Sequence, residues 1–277
     1  MALREVAVQI AIDAAKLART VRDEAVTGGV DTKSTETDVV TAGDRAVERL
    51  VRERLAELRP GESVLGEEEG GEEALEGLRW VVDPIDGTVN YLYGFPWYSV
   101  SLAAQVDGRS VAGAVVEPVS GRVWSAALGH GAFLDGQRLR VSAADRLDLS
   151  LIGTGFAYDA ERRKAQAAVV GELMGQVRDI RRAGVASLDL CAVGAGWLDG
   201  MYEVGLKRWD WAAGALVAEE AGARLRLPER GTTDGLGDEM LICAAPGITW
   251  LTDAMELPVG APVRLDELIH PRIEPEI

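Results

Sequence analysis

The 277-residue sequence has few of the residues on which several common chemistries depend. It contains two cysteines, Cys191 and Cys243, both in apolar surroundings, so we expect buried free thiols and no disulfide. It contains two histidines, His130 and His270, which is little material for a zinc site or for histidine acid–base catalysis. His130 lies between two glycines, and we expect it to form part of a turn.

Long apolar runs are also missing. No stretch approaches the roughly 18–20 apolar residues that a membrane-spanning helix needs. The first residues, Met1 to Val6, begin an amphipathic pattern and have no apolar core of the kind found in a signal peptide. We therefore expect a cytoplasmic protein.

Positive charge is in deficit, with 29 lysine and arginine residues against 45 aspartate and glutamate residues. The formal net charge of −16 argues against nucleic acid or an anionic membrane as a non-specific partner, because both attract cationic surfaces. An acidic protein that acts on an anionic phosphate ester needs countercharge at its site. A bound metal ion is one source of that charge.

The hydrophobic pattern divides the chain into two halves. The first half, residues 1–145, has apolar residues at helical spacing from Leu3 to Val21, with a stop near Gly28. A polar hairpin or extended segment and a second helix precede a strand at 63–66 and a meander of strands across 99–127, with a further hairpin at Asp135. This pattern predicts an α+β half.

The second half, residues 146–277, alternates strands and helices, which is typical of an α/β layer. The predicted strands cover 151–154, a segment beginning at 180, and 201–204. The predicted helices cover 161–177, 187–195 and 211–221.

The segment around which the chain is organised carries two aspartates in one short loop. Trp80 to Val82 form an apolar run typical of a buried strand, which we expect to break at Pro84. Asp83 and Asp86 then lie at the strand's end, where their mutual repulsion would be relieved by a hard cation such as Mg²⁺. An ordinary turn, with aspartates bonding their own backbone, is the alternative interpretation.

Three motifs in the chain together resemble those of the inositol monophosphatase family. They are Gly66-Glu67-Glu68, Asp83-Pro-Ile-Asp-Gly-Thr-Val-Asn90 and Trp209-Asp-Trp-Ala-Ala-Gly214, in that order. The resemblance implies a five-layer α-β-α-β-α sandwich and a Mg²⁺-dependent, lithium-sensitive phosphatase that forms a homodimer. It also implies two or three Mg²⁺ ions in each active site.

The resemblance assigns roles residue by residue. The implied metal ligands are Glu67, Asp83, the Ile85 carbonyl, Asp86 and Asp210. The implied catalytic residues are Glu67, Thr88 and Asp44, supported by Lys33 and Glu68. The implied substrate-binding residues are Asp86, Gly87, Thr88, Gly184, Ala186, Glu203 and Asp210.

Several of these residues have ordinary structural alternatives. Asp44 has the spacing of a helix capping box with Thr41, and Asp210 that of a plain N-cap. Lys33 could be a solvated surface lysine. Lys207 could tune substrate preference or form a surface ion pair. The run of glutamates from Glu67 could be an acidic turn.

The activity that the resemblance implies is hydrolysis of inositol-1-phosphate. Histidinol phosphate, fructose 1,6-bisphosphate and 3′-phosphoadenosine 5′-phosphate are alternative substrates. A haloacid dehalogenase type of phosphatase, which forms a phosphoaspartate, would need one residue between its aspartates, whereas two separate Asp83 from Asp86. A regulatory binding protein that retains the fold is the alternative from another functional class.

Overall fold

The computed structural model of the chain describes residues 2–27, 30–32, 39–71, 76–228 and 240–248. Six helices occur in these ranges: α1 Leu3–Thr27, α2 Ala42–Leu58, α3 Thr88–Tyr93, α4 Ala160–Leu173, α5 Ala186–Gly194 and α6 Arg208–Glu220. None of the described helices is both long and apolar enough to cross a membrane. Cys191 and Cys243 are buried free thiols, which confirms the expectation from the sequence.

A seven-stranded sheet occupies the first half of the chain. It follows the hairpin β1 Val30–Thr32 and β2 Val39–Thr41, and its strands adjoin in chain order. Its first two strands are parallel and the remaining pairs are antiparallel. The strands are β3 Ser63–Gly66, β4 Leu78–Asp86, β5 Ser99–Val106, β6 Arg109–Val116, β7 Val123–Ala127, β8 Gly131–Leu134 and β9 Gln137–Arg138.

A five-stranded sheet occupies the second half, with the order β11-β10-β12-β14-β13. The three strands that alternate with helices are parallel, and the last two pair antiparallel. These last two strands were not predicted from the sequence. The strands are β10 Leu151–Thr154, β11 Asp179–Arg181, β12 Gly200–Val204, β13 Arg224–Arg226 and β14 Met240–Ala244.

Successive side chains of a strand point to opposite faces of its sheet and pack against different helices. Trp80 and Val82 of β4 pack against α1 and α2, whereas Val81 faces α5 and α6. In the second sheet, Met201 faces α5 and α6, and Tyr202 packs against α4. Helices α5 and α6 therefore lie between the two sheets, which confirms the predicted five-layer sandwich.

The prediction that the strand containing Trp80 to Val82 breaks at Pro84 is wrong. Strand β4 continues to Asp86, because a β-bulge accommodates the proline, which has no N–H to donate. Asp83 pairs with Ser101 and Asp86 with Ser99, so three steps along β4 match two along β5. Residues three apart on a regular strand point to opposite faces. The extra residue in the bulge instead turns both aspartates to the same face.

Candidate active site

Ten of the residues that the sequence placed at the site line one cavity of about 440 Å³. The cavity lies where strand β4 ends and where helices α3, α5 and α6 begin. We call one part of its lining the acidic wall and another the hydroxyl wall. The acidic wall consists of Glu67, Asp83, Asp86 and Asp210, and the hydroxyl wall of Gly184, Ala186 and Glu203. The remaining three are Ile85, Gly87 and Thr88.

Asp83 and Asp86 are 2% and 8% exposed. Burial raises the pKa of Asp83 well above its usual range, and the charges of Glu67, Asp86 and Asp210 raise it further. Burial raises the pKa of Asp86 to about 6, although hydrogen bonds from Ser187 act in the opposite direction. The backbone N–H of Ser187, in the first turn of α5, donates to Asp86 Oδ2 at 2.7 Å. The described surroundings of the two aspartates therefore disfavour negative charge on both of them.

Asp210 lies in the first turn of α6, three residues after the N-cap Lys207, and not before the helix as the sequence suggested. Its Oδ2 accepts the backbone N–H of Lys207 at 2.5 Å. Burial raises its pKa well above the usual range, and the nearby charges of Asp86 and Glu67 add to the rise. Asp210 therefore caps its helix with one oxygen while it belongs to the same repulsive cluster.

Asp44 caps α2 and also contacts Thr88. Its Oδ2 accepts the backbone N–H of Thr41 at 2.8 Å and the Thr41 hydroxyl at 2.6 Å, which forms the predicted capping box of α2. Its Oδ1 is 3.2 Å from the hydroxyl of Thr88, which is also 3.1 Å from the Ile85 carbonyl oxygen. Asp44 is fully buried and does not line the cavity. Through Thr88 it reaches the site.

The fit of the acidic wall to a metal ion depends on how its carboxylate oxygens are arranged. Among residues 2–27, 30–32, 39–71, 76–228 and 240–248, no three acidic, histidine or cysteine side chains are arranged around a common point. The closeness of Glu67 instead raises the pKa of the Asp83 carboxyl. The ligand chemistry nevertheless fits a hard cation, because all candidate ligands are oxygens whose charges repel one another. Binding would require the side chains to turn toward one point.

The hydroxyl wall carries a single acid. Burial and the charge of Asp86 raise the pKa of Glu203 to about 7, against the lowering effect of Arg182. A side chain at Gly155 would place its Cβ 2.0 Å from Glu203 Oε1, so the glycine leaves the space that the carboxylate occupies. Glu203 is thus held at the cavity beside an arginine of the same chain.

A glycine with a positive backbone φ angle lines the cavity at the start of α3. Gly87 has a φ of 93°, and its missing side chain leaves room for Val185, whose Cγ2 would be 2.8 Å from a Cβ there. Any other residue would be strained in this conformation. The start of α3 can therefore approach a ligand closely, because Gly87 and Thr88 both line the cavity.

The structure describes one of the two predicted supporting residues. Lys33 is outside the described residues. Glu68 does not line the cavity, and its backbone N–H donates to Glu48 Oε2 at 2.8 Å.

Two further acids near the site were missed from the sequence. They are Glu48 and Asp189, and burial raises the pKa of Asp189 well above its usual range. Asp189 could have been noticed as a lone acid in the apolar helix α5. Glu48 stands among many charged residues of α2, where nothing distinguishes it.

Comparisons with known proteins agree on one family. The model of the inositol monophosphatase family matches residues 2–257. A protein of Mycobacterium leprae named inositol-1-monophosphatase is 53% identical over 264 residues, covering 89% of this chain and 90% of its own. The solved structure of Mycobacterium tuberculosis SuhB is 44% identical, covers 91% of this chain and 95% of its own, and superposes with a TM-score of 0.77. Escherichia coli K12 has a relative named Nus factor SuhB that is 38% identical over 187 residues, covering 67% and 70%.

Proposed function

The chain belongs to the inositol monophosphatase family, and we propose that it is a Mg²⁺-dependent phosphomonoesterase that hydrolyses inositol-1-phosphate to inositol and phosphate. The observation that carries the proposal is the convergence of four carboxylates and the starts of three helices on one cavity. Helix starts favour anions and carboxylates favour cations, so together they suit a phosphate bound with metal ions. The relative from Mycobacterium leprae supports the choice of substrate.

The acidic wall and the Ile85 carbonyl would hold two or three Mg²⁺ ions. When bound, these ions neutralise phosphate charge and lower the pKa of a water molecule. The backbone N–H groups of Gly87 and Thr88 bind phosphate oxygens. A proton of the attacking water would pass to the carboxylate of Glu67 or, through the Thr88 hydroxyl, to Asp44 Oδ1, 3.2 Å from that hydroxyl. As the bond between phosphorus and the inositol oxygen breaks, that oxygen would take up a proton and leave as a hydroxyl group. Glu203 accepts hydrogen bonds from the hydroxyls of inositol.

The proposal includes inhibition by lithium, a homodimeric assembly and a cytoplasmic location, as the family resemblance implies. It excludes a covalent phospho-enzyme, because water is the nucleophile. A regulatory role like that named for the Escherichia coli relative is the alternative from another class. The net charge of −16 disfavours direct binding to RNA, so such a role would act through a protein partner.

Phosphate release from a panel of phosphomonoesters tests the proposal. The panel contains inositol-1-phosphate, histidinol phosphate, fructose 1,6-bisphosphate and 3′-phosphoadenosine 5′-phosphate, each assayed with saturating Mg²⁺. We expect the highest kcat/KM for inositol-1-phosphate. A higher kcat/KM for another member of the panel would identify that compound as the substrate and would leave the proposed type of reaction unchanged. Absence of turnover on every substrate would favour the binding protein.

A further inference from the structure

An ion pair between a buried glutamate and a partly exposed arginine lies outside the cavity, next to the turn that carries Glu67. Glu48 of α2 is fully buried, and its Oε1 is 2.8 Å from Nη2 of Arg52, one helical turn further along. Burying a carboxylate is unfavourable unless charges and hydrogen bonds compensate for the lost water. The contacts of this pair therefore indicate what its position accomplishes.

Glu48 binds the backbone that immediately follows Glu67. Its Oε2 accepts the N–H of Glu68 at 2.8 Å, and its Oε1 accepts the N–H of Glu69 at 3.1 Å. A side chain on Gly66 would put its Cβ 2.1 Å from Glu48 Oε1, so the carboxylate packs directly against this glycine. Glu48 thus contacts the chain on both sides of Glu67.

Arg52 binds the same turn through its carbonyl groups. Its Nη2 donates to the carbonyl of Gly70 at 2.6 Å, and its Nη1 lies 3.4 Å from that of Val64. Its Nε is also 3.4 Å from the Glu69 carboxylate. The planar guanidinium therefore joins Glu48 to both ends of the segment, which a single lysine ammonium could not do.

We propose that Glu48 and Arg52 form a clamp that holds the turn carrying Glu67, and that this clamp sets the affinity of the acidic wall for Mg²⁺. The proposal rests on the proposed function, because it requires Glu67 to be a metal ligand. The clamp residues touch neither substrate nor metal and act by positioning. Groups that orient metal ligands in this way typically change metal affinity by about 10–100-fold when they are lost.

Calorimetric titration of the metal-free protein with Mg²⁺ tests the clamp without any need for turnover. In Glu48→Gln one acceptor oxygen is replaced by an amide that faces an N–H donor, so the turn loosens while the side-chain volume is kept. We expect its Mg²⁺ dissociation constant to rise at least about tenfold. We expect Arg52→Lys, which keeps the charge and loses the planar fork, to raise the constant by a smaller factor. It serves as the test if Glu48→Gln does not fold.

Glu220→Gln is the matched control. Glu220 also accepts two backbone N–H groups of one turn, from Gly129 at 2.7 Å and Gly131 at 2.6 Å. It lies ten residues after Asp210 along α6, which is about 15 Å away. We expect Mg²⁺ affinity in this variant to equal that of the wild type. Wild-type affinity in folded Glu48→Gln or Arg52→Lys would overturn the clamp alone. Failure of the wild type to bind Mg²⁺ would overturn both the clamp and the proposed metal site.

Discussion

Buried negative charge is balanced differently on the two walls of the cavity. On the acidic wall, the pKa of Asp83 is raised by burial and then by three neighbouring carboxylates. On the hydroxyl wall, burial and Asp86 raise the pKa of Glu203, but Arg182 lowers it. The main effects on Asp83 therefore come from burial and other acids, whereas an arginine of the described chain acts on Glu203. This difference suits the acidic wall to metal and phosphate, and the hydroxyl wall to neutral hydroxyl groups.

The largest expected effect comes from neutralising the acidic wall. Asp86→Asn keeps the side-chain volume and removes one charge, so the protein should fold while losing a metal ligand. We expect kcat/KM to fall by on the order of 10²–10³ for every phosphomonoester, which is typical when an electrostatic stabiliser of a transition state is lost. Steady-state kinetics at saturating Mg²⁺, with folding checked by circular dichroism, measures this. Near-normal turnover in the folded variant would show that Asp86 is not a metal ligand.

A smaller and selective effect is expected on the hydroxyl wall. Glu203→Gln retains a carbonyl acceptor, so the loss should be near the low end of the 1.5–3 kcal/mol typical for a bond to a charged group. That corresponds to about tenfold in kcat/KM for inositol-1-phosphate, mostly through KM, with p-nitrophenyl phosphate spared. Comparing the two substrates in the variant and the wild type measures the difference. Equal losses of kcat/KM on both substrates would indicate that Glu203 acts at the metal site. No loss on either substrate would indicate a structural role.

A further effect is expected on the stability of the metal-free protein. Glu203 has a pKa of about 7 when folded, against 4.5 for an ordinary glutamate. Between these values the folded protein binds more protons than the unfolded chain, so the unfolding free energy falls as pH rises. Glu203→Gln removes this contribution, which amounts to about 3 kcal/mol at most.

Thermal unfolding of the metal-free protein at pH 5 and pH 8 checks this prediction. The decrease in Tm between the two pH values should be smaller in Glu203→Gln than in the wild type, with each kcal/mol corresponding to about 2–4 °C. Glu220→Gln, whose carboxylate is on another turn, should behave as the wild type does. Identical decreases in all three proteins would contradict the raised pKa of Glu203.

Regular structure and motif positions could largely be predicted from the sequence, because both are encoded locally. Strands β3 and β10 have the predicted bounds, and the capping box of Thr41 and Asp44 is present. The two missed strands, Arg224–Arg226 and Met240–Ala244, pair after the helical alternation ends. The apolar run of Met240–Ala244 was nevertheless a signal for a buried strand.

The bulge in β4 could not be predicted from the sequence, because a proline in a strand is compatible with either a break or a bulge. Pairing with Ser99 and Ser101 of β5 decides between them, and that pairing is a tertiary contact. Glu48 was missed for a similar reason. Its role depends on a turn about 20 residues away in sequence, and no local pattern marks such a contact.

The central claim is that the acidic wall works only with a bound cation, and removal of metal tests it most directly. The wild-type protein is treated with a chelator, dialysed and assayed for phosphate release from inositol-1-phosphate before and after addition of Mg²⁺. The account predicts that activity falls to background after chelation and returns with Mg²⁺. Full turnover by the metal-free protein would contradict it.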